Sequence, residues 1–230
     1  MRLCIIPARG GSKRIPRKNI KAFLGKPMIA YSIDAALKSG CFDKVIVSTD
    51  DSEIGSVAKA YGAEFPFVRP CVLSDDYTGT LPVIKHAIEW YEQAGEQVDE
   101  VCCLYATAPF VTAEILSLAL RQRQESGADY CFSVSEFASP IQRAFKVTNT
   151  HRLEMFQPES FQLRSQDLEP AYHDAGQFYW GTALAFKQLL PLFSEHTSPY
   201  ILPRYLVQDI DTQDDWDRAE LMYQVLHHNV

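Results

Sequence analysis

The sequence predicts an α/β domain whose mostly parallel sheet is covered by helices on both faces. Three observations carry this reading. Short β-rich runs alternate with helical patterns along most of the chain, and their spacing suits strand–helix–strand units. The strand-like runs are apolar in the way of strands buried on both sides. The length, 230 residues, suffices for one such domain with room for an insertion.

Residues 3–7 read as the first buried strand. Residues 28–38 follow as a helix ended by Gly40, and 44–48 as the second strand. Asp50 with Glu53 offers a capping box for a helix that runs to Tyr61, and 63–67 is a short third strand. Residues 81–93 are helical, with Pro82 tolerated in the first turn. A strand at 101–105 leads to a helix capped by Thr112 that runs to about Ser126, and then to a strand at 130–135.

The rhythm breaks after Glu136. Residues 137–172 hold Pro140, Pro158 and Pro170 among Phe137, Phe145, Phe156 and Phe161, too many large apolar groups for a linker. They predict an inserted dimerisation arm that packs on a partner subunit. Order returns with a strand at 177–186 and a short helix near 187–193. Residues 205–207 lead into Asp209-Ile210-Asp211, and Thr212 with Asp215 caps a final helix. Trp90 and Trp216 fall on helical faces and read as core, whereas Trp180 suits either core or site. There is no internal repeat, so one domain spans 1–230.

Composition narrows the function. Apolar and charged fractions of 47% and 22% exclude a disordered or fibrous chain. A net charge of −7 argues against a nucleic-acid binder. No apolar run approaches the roughly 18 residues of a membrane helix, and the apolar start at 3–6 is stopped by Pro7 and Arg9, so it is not a signal-peptide core. The six cysteines show no C-x-x-C spacing and read as buried free thiols of a cytoplasmic protein.

Charge is unevenly placed. Arg9, Lys13, Arg14, Arg17, Lys18, Lys21 and Lys26 lie in one stretch without an acid, while Asp209, Asp211, Asp214, Asp215, Asp217 and Glu220 crowd near the end. Two such clusters suit a ligand that is both anionic and metal-bound. The basic loop follows the first strand, where an open α/β sheet holds its ligand. Gly10 and Gly11 let backbone N–H groups approach phosphate oxygens, and Arg9, Lys13 and Lys18 supply cations. The glycine spacing fits neither a Walker A loop nor a dinucleotide fingerprint. In Asp209-Ile210-Asp211, an extended backbone turns both carboxylates to one side, the hard oxygen pair that Mg²⁺ uses beside phosphates. Arg69 follows a strand on the ligand side, and His173 suits either a site or a structural hydrogen bond.

These residues resemble the CMP-sialic acid synthetase family of cytidylyltransferases. Ile6-Pro7-Ala8-Arg9-Gly10-Gly11-Ser12-Lys13, Pro16-Arg17-Lys18-Asn19, Val47-Ser48-Thr49-Asp50, Arg69-Pro70 and Asp209-Ile210-Asp211 carry the likeness nearly end to end. Ala106-Thr107-Ala108-Pro109-Phe110, Arg164-Ser165-Gln166-Asp167 and the run from Tyr172 to Trp180 resemble its pseudaminic acid branch. The resemblance implies a Rossmann-like nucleotidyltransferase fold and a homodimer whose arm reaches towards the partner's site. It implies CTP and an acidic nine-carbon sugar as substrates, with Mg²⁺ on Asp209 and Asp211. Arg9, Lys18, Asp209 and Asp211 would be catalytic. Ala8, Arg9, Gly10, Gly11, Ser12, Lys13, Lys18, Asn19, Arg69 and Thr80 would hold the nucleotide. Tyr105, Thr107, Arg164, His173, Gln177 and Phe178 would face the sugar. Tyr105 stands where sialate enzymes often have a glutamine, which points away from sialic acid. Sialic, legionaminic and octulosonic (Kdo) acids remain alternative substrates. A nicotinamide-dependent reductase would need a differently spaced glycine turn, and a non-catalytic sugar-nucleotide binder would not need both acids.

Overall fold

A computed structural model describes residues 1–227. Six strands form the main sheet. In chain order the elements are β1 (Arg2–Pro7), a small antiparallel pair β2 (Ala22–Phe23) and β3 (Lys26–Pro27), α1 (Met28–Ser39), β4 (Lys44–Ser48), α2 (Ser52–Ala60), α3 (Thr80–Gln93), β5 (Glu100–Leu104), α4 (Ala113–Ser126) and β6 (Tyr130–Glu136). Then come a hairpin of β7 (Phe145–Val147) and β8 (Leu153–Met155), β9 (Tyr172–Thr182), α5 (Ala183–Lys187), β10 (Thr197–Leu202) and α6 (Gln213–His227). The sheet runs β10-β6-β9-β5-β1-β4. All its neighbours pair in parallel except β9, which is antiparallel to both β5 and β6.

Alternation along β1 explains the layering. Leu3 and Ile5 pack with Ile84, Ala87, Ile88 and Tyr91 of α3 and with Ala185 and Phe186 of α5. Cys4 and Ile6 pack on the other face with Ile29 and Ile33 of α1, Ile54 and Ala58 of α2, and Leu116 and Leu120 of α4. Each face is thus buried, and successive side chains serve opposite layers. Trp180 is fully buried and stacks on Phe42 with centroids 4.9 Å apart, so it is core. Trp216 is core as well, while Trp90 is only partly buried.

Several local expectations shift. The cap of α2 is Asp51, whose carboxylate accepts from the N–H groups of Glu53 and Ile54; Asp50 turns elsewhere. Residues 63–67 form no strand: Glu64 and, just beyond them, Val68 make isolated bridges to the β4 side of the sheet. The strand expected at 177–186 starts at Tyr172 and gives way to α5 at Ala183, where the Thr182 side chain caps the turn by accepting from Ala185 N–H. β10 was not expected, because Pro199 and polar neighbours mask its pattern; it lies at the sheet edge, where proline is tolerated. Five cysteines are buried, but Cys71 is exposed, in a turn beyond the sheet. Among the described residues no helix is long and apolar enough to cross a membrane.

Candidate active site

The loop after β1 is held against the sheet before any ligand is considered. Ala8 N–H donates to Ser48 O at 2.9 Å, and Asn19 Nδ2 donates back to Arg9 O at 3.0 Å. Ile15 anchors the loop in an apolar cluster with Phe23, Phe110, Ile210 and Trp216. Ile210 is 1% exposed there, so the buried side chain between the two acids ties their segment to the basic loop. The two charge clusters, about 190 residues apart in sequence, meet for this reason.

Their contact is direct. Lys18 Nζ donates to Ile210 O at 2.5 Å and lies 3.3 Å from Asp211 Oδ1, while Arg14 Nη2 lies 2.8 Å from the same oxygen. On the other side Arg9 Nη1 donates to Asp75 O at 2.6 Å and meets Asp76 Oδ1 at 2.8 Å. Lys13 pairs with the second oxygen of Asp76. Arg69 is 4% exposed; its Nε donates to Ser74 Oγ at 3.0 Å, and one Nη lies 3.7 Å from Asp50 without a hydrogen bond. Burial lowers the pKa of that guanidinium, and Asp50 opposes the shift.

A cleft of about 360 Å³ opens over these groups, beyond the carboxyl ends of β1 and β5. From the expected set it gathers Arg9, Ser12, Lys18, Asn19, Arg69, Thr80, Tyr105, Thr107 and Asp211. Thr80 Oγ1 and Tyr105 Oη are 3.1 Å apart. A second cavity of about 500 Å³ adjoins it and holds His173, Asp174, Asp209, Asp211 and Asp215, so Asp211 borders both. The Asp209 carboxyl is pushed up in pKa, first by partial desolvation and then by the charge of Asp211, with Lys18 opposing. Asp215 is committed to the cap of α6, accepting from the N–H groups of Asp211 and Thr212. Among the described residues no three His, Cys, Asp or Glu side chains are grouped to hold a metal by themselves. Asp209 and Asp211 could hold a divalent ion such as Mg²⁺ only with its other ligands supplied by phosphates and water.

Other expected residues lie elsewhere. Gly10 N–H donates to Asp50 Oδ1 at 3.0 Å, so it is not free to point at phosphate. Gly11 is exposed, and Ala8 is buried in the core. Phe178 is 0% exposed among core side chains and has no surface to present to a sugar. Gln177 is equally buried, its Nε2 donating to Ala175 O at 2.8 Å, and it borders neither cavity. Arg164 lies in the insert, paired with Asp167 at 2.7 Å and outside the cleft. His173 borders the second cavity, with Nδ1 2.8 Å from Asp174 O. Sequence reasoning missed Asp75 and Asp76, and it marked Arg14 only as part of the basic stretch and Asp174 only within the Tyr172–Trp180 run, with no role of its own. For Asp75 and Asp76 the available signal was the acid pair itself, in Ser74-Asp75-Asp76 within a small polar loop.

The chain is similar to known proteins over nearly its whole length. Residues 3–213 match the family model described as cytidylyltransferase. A pseudaminic acid cytidylyltransferase of Campylobacter jejuni subsp. jejuni serotype O:2 is 50% identical over 227 residues, 99% of this chain and 98% of that one. The CMP-N,N'-diacetyllegionaminic acid synthase of Legionella pneumophila is 33% identical over 230 residues, 97% and 96% of the two chains. Among solved structures, a CMP:2-keto-3-deoxy-manno-octonic acid synthetase complexed with CTP superposes with a TM-score of 0.72 at 16% identity, covering 97% of this chain and 99% of that one. At that identity the likeness concerns the fold alone.

Proposed function

Because the chain belongs to the cytidylyltransferase family, we propose that it transfers CMP from CTP to the anomeric hydroxyl of an acidic nine-carbon sugar, pseudaminic acid, and releases pyrophosphate. The observation that carries the choice of sugar is the end-to-end likeness to a pseudaminic acid cytidylyltransferase. What supports the chemistry is one cleft that holds Arg9, Lys18, Arg69 and Asp211 together.

In this reading the sugar oxygen attacks the α-phosphorus of CTP, and the bond to the bridging oxygen of pyrophosphate breaks. Arg9 and Lys18 offset the charge that builds on the phosphates and the leaving group. Both are already oriented by protein partners, so little reorganisation is needed when the triphosphate arrives. No protein nucleophile is required. Asp209 and Asp211 would hold Mg²⁺, whose charge relieves their mutual repulsion. A divalent ion held there would supply Lewis-acid chemistry, offsetting phosphate charge and lowering the pKa of the attacking hydroxyl.

The protein works as a homodimer in this reading. The β7–β8 hairpin exposes Phe145, Val147 and Leu153, with Phe156 and Phe161 beside it, a surface suited to a second copy. Arg164, which does not border its own cleft, is then available to the partner. We also place the chain in the reducing cytoplasm, on the strength of five buried free thiols.

Pyrophosphate release from CTP tests this, with pseudaminic, N,N'-diacetyllegionaminic and sialic acids and Kdo supplied in turn, in Mg²⁺ and in excess chelator. Pseudaminic acid is expected to be the preferred acceptor, and chelator to stop turnover. Equal use of all four sugars, or a preference for Kdo, would refute the sugar assignment; full turnover in chelator would remove the metal.

A further inference from the structure

The second cavity lies where an acceptor would meet the nucleotide, because Asp211 lines both it and the cleft. Its wall carries four carboxylates, those of Asp174, Asp209, Asp211 and Asp215. Such a wall repels an acidic sugar unless a cation is there to receive it. The strong cations of the neighbouring cleft already face acids. Arg9 meets Asp76, Arg14 and Lys18 share Asp211, and Arg69 faces Asp50. His173 borders the second cavity, but a histidine is not a permanent cation, and its Nδ1 lies 2.8 Å from Asp174 O. Arg218 is the other basic side chain on that wall.

Arg218 is placed by the same packing that places the acids. Trp216 and Ala219 are the buried residues at the start of α6, and they join the apolar cluster of Ile15 and Ile210. That contact fixes how the helix is turned about its axis, and Arg218 comes up one turn after Asp215 on the same side. Asp215 is already engaged. Its Oδ2 accepts from Asp211 N–H, Thr212 N–H and Thr212 Oγ1, and its Oδ1 accepts from Gln208 Nε2 at 3.3 Å. Asp214, at i−4, is the partner that a surface arginine on a helix can take. That pair is not made. Among the described residues Arg218 has neither an ion pair nor a side-chain hydrogen bond, and it stays exposed at the cavity wall. Its guanidinium is a rigid fork of N–H donors that matches the two oxygens of a carboxylate.

Resting on the reading of the two cavities as the site of CMP transfer to an acidic sugar, we propose that Arg218 binds the sugar's carboxylate. In a sugar of this class the carboxylate is attached to the anomeric carbon, which also carries the attacking hydroxyl. Holding the carboxylate therefore orients the hydroxyl that must reach the phosphates across Asp211. The same contact offsets the charge that the sugar brings into a space lined by acids. A neutral sugar of the same shape gains neither benefit.

The test compares kcat/KM for pseudaminic acid with that for its carboxamide, which keeps the shape and loses the charge. Wild type is expected to favour the acid by about a hundredfold, the scale of a hydrogen bond between charged groups. Arg218→Gln should cut that preference at least roughly tenfold, mainly by raising KM for the acid, with KM for CTP close to wild type. Arg218→Lys keeps the charge and loses the fork, so its preference should fall between the two. Thermal melts of Arg218→Gln should match wild type, since no bond within the protein is lost. A preference unchanged in Arg218→Gln overturns the proposal, and so does a rise in KM for CTP that matches the rise for the sugar. Wild type that uses acid and carboxamide equally overturns it as well. Wild type that transfers CMP to no acidic nine-carbon sugar overturns the assigned reaction, and this role with it.

Discussion

Asp211 meets two cations with one oxygen, and Arg9 meets a carbonyl and a carboxylate with one nitrogen. Each of these side chains sits where a charged ligand would change its surroundings most. Asp211→Asn removes a negative charge that Lys18, Arg14 and the metal would share. It should lower kcat roughly a hundredfold, about 2.7 kcal/mol of barrier, with partial recovery at high Mg²⁺ and no loss of folding. Wild-type turnover at ordinary Mg²⁺ would take Asp211 out of the site. Arg9→Ala should cost about 2–4 kcal/mol in kcat/KM for CTP and far less in the sugar constant, read from initial rates with each substrate varied. At this scale the sequence marked charged side chains that the structure brings to one cleft, Arg9, Lys18 and Asp211. It was silent on Asp76, whose place depends on a loop that brings it to Arg9 and Lys13 from far along the chain.

Arg17 joins the loop after β1 to the helix after β4 through two carboxylates, and one of them shows its effect in titration. Arg17, in the left-handed region at φ 57°, reaches Asp51 and Glu53 at the start of α2. The Arg17 hydrogen bond holds the Asp51 carboxyl below its usual range, with the backbone N–H groups of Ile54 and Glu53 adding to it. A carboxyl whose folded pKa is depressed stabilises fully above its unfolded value near about 4, and the contribution fades as pH falls through the folded value. Arg17→Ala should therefore lower Tm at neutral pH, and the gap to wild type should close below about pH 4 in thermal melts. A gap that persists into acid would mean that Arg17 acts by packing. Elements with a single strong signal were legible: Gly40 ends α1 in a left-handed cap, and the Thr112 side chain caps α4. Those whose pattern is cut by proline or a bulge were not. Pro199 hid β10, and the excursion at Ala175–Phe178 hid the start of β9.

Two questions belong to the whole molecule, its proposed pairing with a second copy and its charge. Leu153→Glu and Phe161→Glu each place a charge on the exposed apolar hairpin surface, where 67% of each residue is accessible. Sedimentation at micromolar concentration should show a dimer for wild type and a monomer for the double variant, with activity falling alongside if Arg164 serves the partner's site. A variant that stays dimeric would move the interface elsewhere. The charge sets a different problem, since a chain of net −7 has to admit a polyanion. Asp76, held between Arg9 and Lys13, bears on it. The free enzyme carries its own counter-ion at the mouth of the cleft, so nucleotide entry is an exchange of one anion for another, not an addition to bare cations. Small anions such as chloride or free phosphate then gain little by occupying the place, because they must first displace a tethered carboxylate. A triphosphate, with several oxygens delivered together, is the kind of ligand that can.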